Sequence, residues 1–274
     1  MSQKSTQITV LIENTVRLPG LKAEHGWSVY IESEHGKVLF DTGQSSQMVD
    51  NASLLNIDLG SIEKVVISHG HFDHTGGLPE LLKLNPSVLV YAHPDIFKTR
   101  FYQRPGGSAR EIGIAQKELD LSRFVFSREP VVLFPGCLTT GVIPVREGHI
   151  TTEGNFFEDP GTTRRDQIQD DQALILDGEQ GLTVILGCCH VGLKATFDQV
   201  RKLTGKSSIF MVLGGMHLVD ASNELLEQTI QTLNDFSVRK IGLGHCTGYQ
   251  GAIDLQTAFP ERCFPCNTGL QLRV

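Results

Sequence analysis

Between Ser68 and Gly77 the chain reads SHGHFDHTGG, which places His69, His71, Asp73 and His74 within six positions. Crowding imidazoles in this way is costly, because protonated neighbours repel and each buried ring nitrogen needs a partner. The preceding KVVIS is a short β-branched run that predicts a strand, so the cluster begins where that strand ends. In extended geometry, residues two apart face the same side, which directs His69 and His71 toward one point. Asp73 and His74 follow on the turn before Gly76 and Gly77. Capping a helix is the ordinary role for one such residue. Four together supply neutral imidazole nitrogens and a carboxylate oxygen, the donors of zinc, iron or manganese, and a cation removes the crowding by taking the lone pairs.

Other strand ends supply further donors. His190 closes LTVILGCCH, His217 follows IFMVLGG, and His245 closes RKIGLGH. Each is an apolar run, a glycine and then a histidine, the kind of position where α/β proteins place ligands. Singly, each reads equally well as a hydrogen-bonded structural histidine; the shared pattern favours one common centre.

Strands are also predicted at QITVLIE, WSVYIES, KVLFDTG, SVLVYAH, QALILDG and near GLQLRV. Helices are predicted at SSQMVDNASLLNI, GGLPELLKL, KATFDQVRKLT and NELLEQTIQTLNDF, with Pro79 suited to a first helical turn. This is an α/β chain whose halves are organised alike without a detectable sequence repeat. No low-complexity linker divides residues 1–274, which are read as a single domain. From about residue 95 to 170 the periodicity fades and Pro, Gly and charged residues become frequent, predicting an irregular insertion that serves as a lid or binding segment.

Composition narrows the partners. A chain of 274 residues with 40% hydrophobic content can bury one large core or two modest ones. No run approaches the roughly 18 to 20 apolar residues of a membrane span, and the start shows no secretory pattern, so a cytoplasmic protein with no membrane partner is expected. A net charge of -7 argues against a nucleic-acid partner. Nothing in the sequence specifies an oligomer. Six cysteines are too few for a disulfide scaffold, and reduced thiols are expected. CFPC at Cys263–Cys266 has redox spacing but lacks the β-α context of a thioredoxin site. Cys189 and Cys246 adjoin candidate ligands; on a strand they face away from them, so packing is their expected role. Trp27 is read as core. Eight arginines between Arg100 and Arg165 could grip an anionic small-molecule substrate, although a comparable number of acids nearby favours a mixed-charge surface.

SHGHFDHTGG matches the H-x-H-x-D-H signature of the metallo-β-lactamase superfamily, and VLFDTG, GCCH and GHCTG fall in the order of its other motifs. LKAEHGWSVYIES, DDQALIL, GCCHVGL, GGMHL and GHCTGYQG resemble, more closely, the dihydropterin ribofuranosyl-aminobenzene phosphate synthase-like subgroup. The resemblance covers essentially the whole chain. It implies a four-layer αββα sandwich with one or two divalent metal ions, zinc foremost and manganese or iron as alternatives, at one edge of the sheets. His69, His71 and His190 would hold one metal, and Asp73, His74 and His245 a second. Asp41 would accept from a metal-ligating histidine and fix its tautomer; His25 would be a substrate contact. The aspartate that usually bridges both metals, after the strand ending in VLGGMHL, has no direct counterpart here; His217 or Asp220 would substitute. The implied function is hydrolysis by metal-activated water, with Asp73 orienting that water or taking its proton, on a small phosphorylated or cyclic ester. The alternatives are a synthase joining a dihydropterin diphosphate to an aryl amine, and a mono-iron redox or sensor protein.

Overall fold

The computed structural model describes residues 6–114, 119–152 and 154–274. Positions 115–118 and 153, both inside the expected insertion, lie outside the described residues. One seven-stranded sheet runs, from edge to edge, through Gln271–Arg273, Gln7–Ile12, Ser28–Ser33, Gly36–Phe40, Lys64–Val66, Leu89–Ala92 and Phe124–Phe126. A second runs through Cys263–Pro265, Lys240–Leu243, Met211–Gly214, Gly181–Ile185, Leu174–Gly178, Cys137–Thr139 and Val132–Phe134.

Period-two alternation explains how these sheets stack. Val29, Ile31, Val38 and Phe40 point into a core shared with Leu174, Leu176, Ile185, Met211 and Leu213 of the other sheet. Their neighbours Tyr30 and Leu39 face a second core closed by Met48 and Ala52 of the helix Gln47–Leu54 and by Leu78, Leu81 and Leu82 of the helix Leu78–Leu84. On the far side, Ile175, Val184 and Val212 pack against Phe197, Leu233 and Leu255 from the helices Leu193–Thr204, Asn223–Asp235 and Tyr249–Ala258. The order is helix, sheet, sheet, helix: the expected αββα sandwich. Trp27 is fully buried between the sheets, as read.

The predicted strands and the four predicted helices are present. Segment 95–170 carries more order than its composition predicts. Phe124–Phe126 extends the first sheet, and Val132–Phe134 with Cys137–Thr139 forms the edge of the second. Phe156–Phe157, Phe101–Gln103 and Ala109–Glu111 make a separate three-stranded sheet. Each of these strands has two or three residues, too few for alternation to register. The helix Tyr249–Ala258 also lacks a predicted counterpart; Gly251 sits within it, where a Cβ would fall 2.5 Å from Leu218 Cβ. Among the described residues no helix is long and apolar enough to cross a membrane.

Candidate metal centre

The strands Gly36–Phe40, Lys64–Val66, Gly181–Ile185, Met211–Gly214 and Lys240–Leu243 are followed by the loops that carry Asp41, His69–His74, Cys188–His190, His217 and His245. Asp41, Cys189, His217 and His245 all take positive φ, between 43° and 60°. For non-glycine residues that conformation costs about 1–3 kcal/mol each and collects at functional sites. Close approach of the loops also needs glycine: a Cβ on Gly76 would lie 2.0 Å from Gln44 O, and one on Gly187 would lie 2.3 Å from Ser68 Oγ.

The donors form two groups. His69, His71 and His190 bring one ring nitrogen each within 4.8 Å of one another, with His69 Nε2 3.0 Å from His71 Nδ1. In the second, His74 Nε2 is 3.2 Å from His245 Nε2, and the Asp73 carboxylate is 3.3 Å from His245 and 3.8 Å from His74. Nitrogens about 2.0–2.1 Å from one tetrahedral ion stand about 3.3 Å apart, so both groups have the spacing of a common cation. Two buried nitrogens of the first group, His71 Nε2 and His190 Nε2, have no hydrogen-bond partner. The donor set fits a divalent metal.

Tautomers are set from behind. Asp41 accepts from His74 Nδ1 at 2.7 Å and from the Ser68 hydroxyl at 2.7 Å, and that hydroxyl lies 2.9 Å from His69 Nδ1. His245 Nδ1 lies 3.1 Å from Asn14 Oδ1, and His190 Nδ1 lies 3.3 Å from Thr152 Oγ1. These contacts leave the Nε2 atoms of His69, His74, His190 and His245 free for coordination. Burial pushes His69, His71, His190 and His245 down, keeping them in the neutral form that ligates. Burial opposes charge on His74 too, but Asp41 and Asp73 outweigh it and raise His74 to about 9. Burial also disfavours charge on Asp73, yet His74, His245 and His25 hold its carboxyl well below the usual range.

His25 is exposed, with Nε2 3.1 Å from Asp73 Oδ2. His217 rests 4.3 Å, ring to ring, from His190 and lines the cavity, but among the described residues it joins neither donor group. Asp220 lines the cavity as well. Cys188 Sγ, absent from the predicted set, lies 3.2 Å from His74 Nε2. Its signal was available, since it stands two residues before His190 and on the same face. Asn14, Ser68 and Thr152 left no such signal, because nothing local marks an ordinary loop residue as a histidine's partner.

The centre opens into a cavity of about 1030 Å³ whose far wall comes from segment 95–170. Phe72 N–H donates to Ile112 O at 2.9 Å, and His71 pairs with Gly113, so this segment docks directly on the histidine motif. Tyr102, Arg104, Arg110 and Phe156 line the cavity, with Arg110 5.3 Å above the Phe72 ring. Arg100 instead is buried and paired to Asp166 at 2.9 Å and Asp170 at 2.7 Å, and Arg123 donates to the carbonyls of Asn85 and Leu82. All six cysteines are free; Cys266 packs between the sheets, and Cys263 lies on the edge strand next to the helical layer.

A model of the metallo-beta-lactamase superfamily matches residues 21–151. The 7,8-dihydropterin-6-methyl-4-(beta-D-ribofuranosyl)-aminobenzene-5'-phosphate synthase of Methanocaldococcus jannaschii is 35% identical over 87% of this chain and 86% of its own. The chain belongs to the metallo-β-lactamase superfamily. A crystal structure of a metal-dependent hydrolase of the beta-lactamase superfamily superposes with a TM-score of 0.84 at 30% identity, covering 98% of this chain and 99% of that one. The metallo-beta-lactamase fold protein YhfI from Bacillus subtilis, 12% identical over 99% and 100% of the two chains, shares the fold with a TM-score of 0.63. Membership accounts for the layer order and for the convergence of histidines from separate strand ends.

Proposed function

We propose that the protein is a metal-dependent hydrolase of a small phosphorylated or cyclic ester that carries a flat ring. The observation that carries this reading is the convergence of His69, His71 and His190, and beside them of Asp73, His74 and His245, on a cavity with arginines and aromatic rings on its opposite wall. His69, His71 and His190 would hold one divalent ion, and Asp73, His74 and His245 a second. A cation there supplies Lewis acidity, which makes water nucleophilic near neutral pH and neutralises charge on the reacting ester.

The chain's own groups do the rest. The Asp73 carboxylate orients the attacking water, and His25, 3.1 Å from it at the cavity mouth, carries the proton to solvent. Arg104 and Arg110 bind the anionic group, while Phe72, Tyr102 and Phe156 stack on the ring and exclude bulk water. Residues 101–112 and 154–157 act as the lid. Zinc, manganese or iron would meet the donor set.

A second reading, favoured by the 35% identical synthase, uses the same cavity to join a reduced pterin to an aryl amine, with the metal aiding diphosphate departure. Turnover of bis(p-nitrophenyl) phosphate by the metal-loaded protein, lost on chelation and regained on metal addition, is the expected result for the hydrolase. No esterase activity, combined with quenching of dihydropterin fluorescence on binding, would replace it with the synthase.

A further inference from the structure

The loop Gly187–His190 does two things at once. Cys189, at φ 60°, turns its side chain into the helix-side core, where Sγ lies 3.5 Å from Thr196 Oγ1. Cys188 and His190 are thereby both left on the site side, and Cys188 is 4% exposed. Its sulfur is within 4.8 Å of the donor atoms of His69 and His74, and in a second grouping it is within 4.8 Å of those of His245 and Cys246. His69 belongs to one donor group, while His74 and His245 belong to the other. The Cys188 sulfur therefore stands between them.

We propose that Cys188 is a ligand of the metal centre, its thiolate shared between the two donor groups in place of a bridging carboxylate. The proposal rests on the metal reading above and adds a donor to it. Metal–sulfur and metal–nitrogen bonds of about 2.3 and 2.0 Å at a tetrahedral angle separate the two donor atoms by about 3.5 Å, close to the 3.2 Å between Cys188 Sγ and His74 Nε2. On loading, the thiol proton passes to solvent and the thiolate contributes one negative charge, as a bridging carboxylate would. His217 cannot supply that charge, and its ring lies against His190 outside both donor groups. A thiolate also biases the centre toward zinc, cobalt or iron and away from magnesium and calcium.

Cobalt(II) titration of the metal-stripped, full-length protein tests this, read by near-ultraviolet absorption and by bound cobalt per chain. The expected result is a thiolate-to-cobalt charge-transfer band in the parent protein that survives Cys246→Ser and disappears in Cys188→Ser. The more weakly held cobalt should also lose at least about tenfold in affinity in Cys188→Ser. Cys188→Asp should regain that cobalt without the band, and it serves as the informative variant if Cys188→Ser does not fold. Cobalt binding without the band, or a band that persists in Cys188→Ser, overturns the role of Cys188 and leaves the metal reading standing. A parent protein that binds no cobalt overturns both.

Discussion

Replacing Asp41 by Asn tests the support beneath the centre without touching a donor to the metal. Asp41 is fully buried and accepts at 2.7 Å from the Ser68 N–H, the Ser68 hydroxyl and His74 Nδ1. An amide has one acceptor oxygen and one NH2, so at least one of these donors would meet another donor. The larger loss is charge. Asp41 and Asp73 together hold His74 at about 9 against burial, a rise from 6.5 that corresponds to about 3 kcal/mol in all, and Asp41 supplies the larger part through its charge and its hydrogen bond. Because the folded value is the raised one, that stabilisation is complete below pH 6.5 and fades as pH rises through 9. Urea denaturation of the metal-stripped protein at pH 6 should show Asp41→Asn less stable by about 2 kcal/mol, the gap narrowing at pH 9.5. Chelator competition should show metal affinity about 10- to 100-fold weaker. A variant within about 0.5 kcal/mol of the parent at pH 6, with unchanged affinity, would refute the reasoning.

His71→Ala should abolish most metal content, measured by elemental analysis, and with it nearly all turnover, whereas Cys263→Ser on the edge strand should leave both near normal. Arg100→Met leaves Asp170 buried without its cation, and denaturant melts should show a loss of about 3–5 kcal/mol. Burial, and then the Arg128 guanidinium, push His93 down to about 4. The folded protein therefore loses up to about 3 kcal/mol as pH falls from 6.5 to 4, and His93→Gln should flatten the acid limb of the stability profile across that window.

Much of this molecule was legible before folding. Strand ends are marked in the sequence by an apolar run followed by glycine or serine and then histidine, and that pattern pointed to His69, His71, His190 and His245, whose rings the fold does gather at one edge of the sheets. Short strands such as Phe101–Gln103 were not, because three residues cannot establish a period. The contacts of Asn14 and Thr152 were hidden for another reason: they join residues 231 and 38 positions apart. Cys188 is marked only by period-two spacing, which places it beside His190, and the identical residue next to it, Cys189, faces the opposite way.

The two donor groups draw on both halves of the sandwich, and this orders events during synthesis. His69 to His74 leave the ribosome more than a hundred residues before His190 and His245. The donors at the end of the first sheet are therefore made early, and only docking of the second sheet brings His190 and His245 beside them. Under the metal reading proposed above, tight retention of an ion would report that both sheets have docked.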